Sequence, residues 1–262
     1  MNQGLVLFAF NNGLDYVKLA KDVAKRANTF LNLPVSLVTD TPVDDSALFD
    51  KIFYIEDNSV YSKTFHDSDR GTKLPWKNFS RLEVYDITPY QETIVVDVDY
   101  VIQSDFLNNC FKLGNDLLLY KNSFNLSGYD SDEFKYINQF SIPFYWATVL
   151  YFKKTEFNNI FFQYVRHIRD NWNYYRDLYQ IVENKFRNDF AFSIAVHVLC
   201  KFNNIEIPGK INYITDMDSL IRLDKDSAAF LLQDSNNDYT VVKTDNTDVH
   251  VMNKYSLLRC IS

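Results

Sequence analysis

The sequence predicts an α/β fold, with a mostly parallel sheet in the first half and a helical, more irregular second half. Three observations lead there. Gly4–Phe10, Val35–Val38 and Thr93–Val96 are continuous apolar or β-branched runs, the pattern of strands buried on both faces. Residues 14–31, between the first two runs, carry apolar side chains at helical spacing. Only 6 Gly and 6 Pro occur in 262 residues, too few to punctuate an all-β array. A strand–helix–strand succession closes most simply as a right-handed parallel βαβ unit.

The elements follow in order. Leu14, Val17, Leu19, Ala20, Val23, Ala24, Ala27 and Leu31 form one helical face, with Lys18, Lys21, Asp22, Lys25 and Arg26 outside; Pro34 stops that helix. Val35–Val38 leads into Thr39-Asp40, and Ile52–Ile55 is a third short strand. Residues 56–75 read as a polar loop, and Lys77–Ile87 as a helix. Thr93–Val96 is the most β-branched run of the chain. Ala147–Phe152 is a further strand, amphipathic helices fall within 155–183 and 189–202, and short strands within 229–232 and 239–243. No repeat, low-complexity tract or linker divides the chain, which reads as one domain over 1–262.

Composition narrows the function. Charged residues make up 23% and the net charge is −7, so a global electrostatic grip on nucleic acid is disfavoured, although a local basic face remains compatible. The isolated glycines at 4, 13, 71, 114, 128 and 209 exclude a glycine-rich phosphate loop. Cys110, Cys200 and Cys260 are scattered and odd in number, arguing against a disulfide framework or zinc knuckle and for reduced cytosolic thiols. MNQGLVLFAFNN lacks the basic leader of a signal peptide, and no apolar run approaches the ~20 residues of a membrane span. The expectation is therefore a cytoplasmic protein, monomeric or homodimeric.

The most informative segment is Thr93-Ile94-Val95-Val96-Asp97-Val98-Asp99. In a strand, i and i+2 share a face, so Asp97 and Asp99 project together where the chain leaves the sheet. Open α/β sheets bind ligands at the carboxyl ends of their strands. Two carboxylates this close repel unless a cation neutralises them, and Mg²⁺ or Mn²⁺ with oxygen ligands and substrate phosphates is the natural partner. The plainer alternative is a solvated Asp-rich turn.

Four blocks carry a resemblance: LVLFAFNNGLDYVKLA, PVSLVTD, VVDVDYVIQSD and VHVMNK, spread from residue 5 to 254. In this order the chain resembles nucleotide-sugar glycosyltransferases of the GT-A fold, in the style of glycogenin and the galactosyltransferase-like enzymes. Their wording is similar to small glycosyltransferases encoded by large tailed phages, for which the compartment is the host cytoplasm. The resemblance implies a Rossmann-like GT-A domain, with a nucleotide-binding half at 1–105 and an acceptor-side half at 106–262. It implies a DxD metal site at Asp97 and Asp99, with His250 as third ligand and Lys254 on the donor diphosphate. Imidazole suits Mn²⁺ better than Mg²⁺ or Ca²⁺. The implied donor is a UDP-sugar, and the acceptor a hydroxyl of open class; given the phage-like wording, hydroxymethylated cytosine in DNA is one option, which the net charge mildly disfavours. The His-to-Lys spacing is four residues, shorter than in some relatives, and Tyr255-Ser256 stand where a Pro-Trp often follows.

Other candidates each have a plain reading. In the family, basic groups before the DxD help hold the pyrophosphate, which singles out Lys73 and Arg81 over Arg70 and Lys77; an ordinary solvated face is the alternative. Asn11, Asn12 and Tyr16 can meet a nucleobase by hydrogen bonding and stacking, and Asp40 the ribose or base; capping by Asn12 and packing by Tyr16 compete. In many GT-A enzymes an acidic or amide residue at the start of a similar helix faces the sugar or acceptor, so the resemblance implies Asp189 as the first candidate for a catalytic carboxylate and Asn188 as the second, against a helix N-cap at Asp189. His197 reads as a packed helix residue. The aromatic and basic residues between 160 and 180 suit a stacking face for nucleic acid, but ordinary packing is the commoner cause.

A metal-dependent glycosyltransferase is thus the leading reading. A haloacid-dehalogenase-type phosphatase would use Asp97 as nucleophile and Asp99 as acid/base, but that motif normally sits on the first core strand. A non-catalytic nucleotide-sugar-binding module is the third.

Overall fold

A computed structural model of the chain describes residues 2–57, 61–77, 79–128, 134–138, 141–200, 205–233 and 238–261. Its strands are β1 (Gln3–Ala9), β2 (Val35–Thr39), β3 (Lys51–Tyr54), β4 (Tyr61–Asp67), β5 (Arg70–Trp76), β6 (Glu92–Val96), β7 (Tyr100–Val101), β8 (Leu117–Tyr120), β9 (Ser123–Asn125), β10 (Trp146–Lys153), β11 (Ile211–Ile214), β12 (Ser219–Leu223), β13 (Ser227–Gln233), β14 (Tyr239–Asp245) and β15 (Val249–Val251). Its α-helices are α1 (Tyr16–Arg26), α2 (Val84–Ile87), α3 (Glu156–Asp170), α4 (Trp172–Leu178), α5 (Asn188–Leu199) and α6 (Lys254–Cys260).

The central sheet has the order β3-β2-β1-β6-β10-β8. β1 pairs in parallel with β2 and β6, and β2 with β3. β10 is antiparallel to both neighbours, so β8 runs with the others. This is the expected α/β architecture: a mostly parallel sheet flanked by helices. Leu5, Val6, Leu7, Ile94, Val95 and Val96 are all fully buried, as strands covered on both faces must be. Helix α1 starts where the Asp15 side chain accepts from Lys18 N–H, and packs on β1 and β2 through Val17, Ala20 and Ala24. Its carboxyl end widens over Ala27–Leu31 and stops at Asn32 in the left-handed conformation. Phe152, Phe161, Phe162 and Phe192 interlock where α3 and α5 meet β10.

Among the described residues three small sheets lie outside this frame, the β4–β5 hairpin and two others. β7-β15-β11-β9 joins the segment just after Asp99 to the last strand of the chain, and β12-β13-β14 forms an antiparallel meander. The second half is therefore richer in strands than expected, because strands of two to five residues leave no readable period. Residues expected as a loop form the β4–β5 hairpin, turning at Ser68-Asp69 with Ser68 at φ 54°. Its outward polar residues hide the pattern, and Phe65 is its one buried apolar side chain. The expected helix over Lys77–Ile87 is a tight 3₁₀ turn at Ser80–Glu83 followed by α2; Thr88, extended before Pro89, ends it.

Helix α5 is not amphipathic: Phe190 through Val196 are buried in succession. It ends at Leu199, and residues 201–202 of its expected extent lie outside the described residues. His197 is exposed on it, edge-on to Tyr179, rather than packed within. The bases of the 160–180 region are tied to carboxylates, Arg166 to Asp86 and Arg169 to Glu83 and Asp170, while Trp172 and Tyr175 are buried. That is a packed helix with a paired surface. Among the described residues no helix is long and apolar enough to cross a membrane.

Gly4 sits under the Tyr90 ring, whose hydroxyl meets the Ser36 hydroxyl at 2.8 Å. A Cβ at Gly4 would stand 2.4 Å from ring carbons, so Gly4→Ala must displace a buried aromatic. We expect a loss of about 1–3 kcal/mol in urea unfolding, relieved in the Gly4→Ala/Tyr90→Leu double variant; an unchanged midpoint for the single variant contradicts this packing.

Candidate metal and donor site

The carboxyl ends of β1 and β6 lie side by side, and β6 passes directly into Asp97. Asp97 N–H donates to Thr148 C=O at 2.9 Å, and Tyr100 N–H to Asp97 C=O at 3.0 Å. The second bond closes a tight turn over Asp97–Tyr100. The two carboxylates are thus brought together by a turn, not by the pleat of a strand. Nor is the pair uniformly exposed: the Asp97 side chain keeps 35% of its surface, but Asp99 is buried.

After the turn, β7 pairs with β15, placing His250 opposite Tyr100, and Val251 N–H donates to Asp99 C=O at 2.8 Å. His250 Nε2 consequently stands 3.3 Å from Asp99 Oδ2. One ligand atom from each of Asp97, Asp99 and His250 falls within a 4.8 Å cluster. Just beyond β15 the Asn253 side chain caps α6 by accepting from Ser256 N–H at 3.0 Å, and its amide donates to Asp218 C=O at 2.7 Å. The cap fixes Lys254, whose Nζ lies 2.5 Å from Asp99 Oδ2.

On the other carboxylate, Arg81 is buried, donates to Asp97 Oδ1, and also donates to the carbonyls of Ala147 and Thr148. Burial works against the charge of Asp99, but Lys254 and His250 outweigh it and hold the carboxyl well below the usual range. Burial also pushes Asp97 up, and there Arg81 opposes it without prevailing. Asp97 is therefore the carboxylate with more to gain from an added cation. The residues fit a hard divalent ion: two carboxylates supply oxygen and His250 supplies a nitrogen. Among the described residues, the His250 Nδ1 atom is buried without a partner.

A cavity of about 380 Å³ opens over this cluster. Tyr16, Arg81, Asp97, Asp99, Asn188, Asp189, His250 and Lys254 all line it, gathered from positions 16 to 254. Burial pushes the Tyr16 phenol up to about 12, with the nearby Asp99 and Asp97 charges adding to the effect against Lys254. Asp189 lies in the first turn of α5 rather than at its cap: Oδ1 accepts from Ala147 N–H at 2.8 Å and Oδ2 pairs with Arg187 at 2.9 Å. It ties α5 to the start of β10.

Three sequence candidates stand outside the cavity wall. The Asn11 side-chain Oδ1 accepts from Val17 N–H at 3.1 Å, fixing the start of α1. Asp40 pairs with Lys77, which does line the cavity. Lys73 lies exposed on β5, opposite Thr64. Asn12 does not cap α1, a task taken by Asp15; its amide instead donates to Pro75 C=O at 2.6 Å, tying the hairpin to the end of β1.

The structure adds residues that the sequence did not single out. Lys63 on β4 lines the cavity, with its Nζ 5.6 Å from the Trp76 ring centroid and 5.9 Å from that of Phe65. One face stays open, yet the cavity walls strip its water, and this, with the charges of Lys254 and Arg187, pushes its ammonium down to about 8. Reading 56–75 as a loop concealed it. Arg187 adjoins the Asn188-Asp189 pair in sequence, and its neighbour Phe190, 5.2 Å from the guanidinium, was the available signal.

No family model matches the chain, and no curated protein matches it. Solved structures do. The galactosyltransferase LgtC, in complex with donor and acceptor sugar analogues, is similar at 14% identity and a TM-score of 0.46, over 73% of this chain and 70% of that one. The glycosyltransferase GlyE of Streptococcus pneumoniae is similar at 14% identity and a TM-score of 0.43, over 79% of this chain; the match spans only 45% of GlyE. Mouse xyloside xylosyltransferase 1 is similar at 11% identity and a TM-score of 0.45, over 79% of this chain and 84% of that one.

The depressed Asp99 carboxyl fixes a pH dependence. Its contribution to stability is present above the unfolded carboxylate pKa of about 3.9 and is lost as pH falls through and below that value. Asp99→Asn should cost the metal-free protein about 3 kcal/mol at pH 7, because Lys254 loses a buried counter-charge, and should flatten the acid limb of stability below about pH 4. Urea unfolding at a series of pH values checks both; an unchanged acid limb contradicts the assignment.

Proposed function

We propose that this chain is a metal-dependent glycosyltransferase that moves a sugar from a nucleoside-diphosphate sugar, a UDP-sugar in the first instance, to an acceptor hydroxyl. The carrying observation is the convergence of Asp97, Asp99 and His250 within 4.8 Å at the carboxyl ends of the central strands, with Lys254 beside them. The charge of the cavity supports it. Among the described residues that line it, six carboxylates (Asp57, Asp97, Asp99, Glu183, Asp189, Asp216) face six cations (Lys63, Lys77, Arg81, Lys185, Arg187, Lys254). The walls balance, so a bound divalent ion leaves the cavity positive by two charges, which the two phosphate charges of a nucleotide-sugar offset. The sequence blocks that resemble GT-A glycosyltransferases contribute the residues of this same cluster.

In this reading Asp97, Asp99 and His250 hold Mn²⁺ or Mg²⁺, which supplies Lewis-acid stabilisation of the departing diphosphate. Arg81 and Lys254 add fixed positive charge at the leaving group, worth more in a partly desolvated cavity than in water. Tyr16 offers a ring on the donor side. Asp189, whose two oxygens already accept from Ala147 N–H and Arg187, positions sugar hydroxyls rather than abstracting a proton. Asn188 lies beside it on the cavity wall. Asn11, Asp40 and Lys73 serve the donor at most through the elements they brace.

Purified protein incubated with Mn²⁺ and a panel of nucleotide-sugars should hydrolyse at least one slowly in the absence of acceptor, with UDP-sugars preferred. Asp97→Asn should lower kcat by about 10²-fold or more while leaving the thermal midpoint within a few degrees, because Asp97 is partly exposed. Turnover of a generic phosphate monoester without sugar release indicates the phosphatase alternative instead, and sinks this proposal.

A further inference from the structure

Asp99 Oδ2 is claimed twice. His250 Nε2 approaches it at 3.3 Å and Lys254 Nζ at 2.5 Å. An ion bound by Asp97, Asp99 and His250 together draws on the space around that same oxygen. A lysine ammonium and a divalent cation repel, and two cations do not share one carboxylate oxygen in a buried site without cost. The side chain has the means to leave. The Lys254 backbone is fixed by the Asn253 cap, but its four-carbon stem carries four rotatable bonds, and the side chain keeps 15% of its surface on the cavity side. The Phe65 ring, with its centroid 5.9 Å from Nζ, offers a second cation-binding surface on the hairpin side.

We propose that Lys254 is a placeholder cation: it occupies Asp99 until a divalent ion arrives, is displaced, and then gives its charge to the donor diphosphate. The inference rests on the metal-and-donor reading of the preceding subsection and goes beyond it by setting the coupling between the two ligands. Without a diphosphate, ion entry leaves the Lys254 ammonium desolvated and without its carboxylate, so the ion binds weakly. With a diphosphate, the ammonium has a new partner and the penalty disappears. Ion and nucleotide therefore raise each other's affinity by the same factor, as linkage requires. Before binding, Lys254 also keeps Asp99 compensated, so that the empty site folds without a stray buried charge.

The test is Mn²⁺ binding rather than turnover. Free Mn²⁺ is counted by electron paramagnetic resonance during titration of the wild type, Lys254→Gln and Lys63→Gln, with and without UDP, after thermal unfolding has verified each fold. Lys254→Gln should bind Mn²⁺ about tenfold or more tightly than the wild type without UDP, because the competitor is gone. UDP should then tighten Mn²⁺ binding less than it does in the wild type. Lys63→Gln removes the same charge from the same cavity without touching Asp99, and should change nucleotide-free affinity by less than about threefold. If Lys254→Gln does not fold, Lys254→Met, which keeps the stem, takes its place. Equal Mn²⁺ affinity in Lys254→Gln and wild type overturns the inference alone, as does a matching gain in Lys63→Gln. Failure of the wild type to bind Mn²⁺ even with UDP overturns the preceding reading and this inference together.

Discussion

Everything at the site depends on one short pairing, β7 with β15, and on the Val251 N–H to Asp99 C=O bond that extends it. β7 begins one residue after Asp99, and β15 lies about 150 residues further along the chain. Without that pairing, Asp97 and Asp99 are an acidic turn at the end of β6. With it, His250 is brought to 3.3 Å of Asp99, and α6, starting three residues later with its own cap, delivers Lys254 to the same oxygen. The central sheet fixes where the turn points, since β6 is held between β1 and β10 by fully buried residues. The small sheet fixes what it meets.

That arrangement has an electrostatic consequence. Asp99 is 3% exposed, and a buried carboxylate without partners costs several kcal/mol. Lys254 and His250 meet the need, and in doing so place three ionisable groups where small changes in occupancy alter which pairs are made. Asp97 is the opposite case: one oxygen is engaged by Arg81, the side chain keeps an open face to the cavity, and burial still disfavours its charge. The pair is asymmetric, one carboxylate committed and one receptive. Such asymmetry suits a site whose cation is acquired together with its substrate.

Much of this was legible in the sequence, for identifiable reasons. The buried runs of β1, β2, β6 and β10 and the helical period of α1 gave strong local signals, and the Asp-x-Asp at the end of the most β-branched run stood out against them. His250 and Lys254 were reached only through the VHVMNK resemblance, because nothing local distinguishes a strand histidine that meets a carboxylate from one at a solvated edge. The hairpin was missed because its two strands bury one apolar residue, Phe65, and so Lys63 stayed hidden. The sequence offers Asp189 as the first catalytic candidate, with a helix cap as its plain reading; in the structure it reaches across to Ala147 N–H, a contact between residues 42 positions apart that no local pattern encodes. Asp99 is buried where Asp97 keeps an open face, and no local pattern marks that difference, which follows from the β7–β15 pairing.

On the proposed function, one divalent ion sits between Asp97, Asp99 and His250 when a nucleoside diphosphate is bound. Anomalous scattering at the manganese edge, from crystals grown with Mn²⁺ and UDP, tests it most directly. We expect a single strong peak within about 2.0–2.6 Å of an Asp99 carboxylate oxygen, at coordinating distance from His250 Nε2, with the diphosphate completing the shell. A peak elsewhere, or a bound UDP with no ion at this cluster, contradicts it.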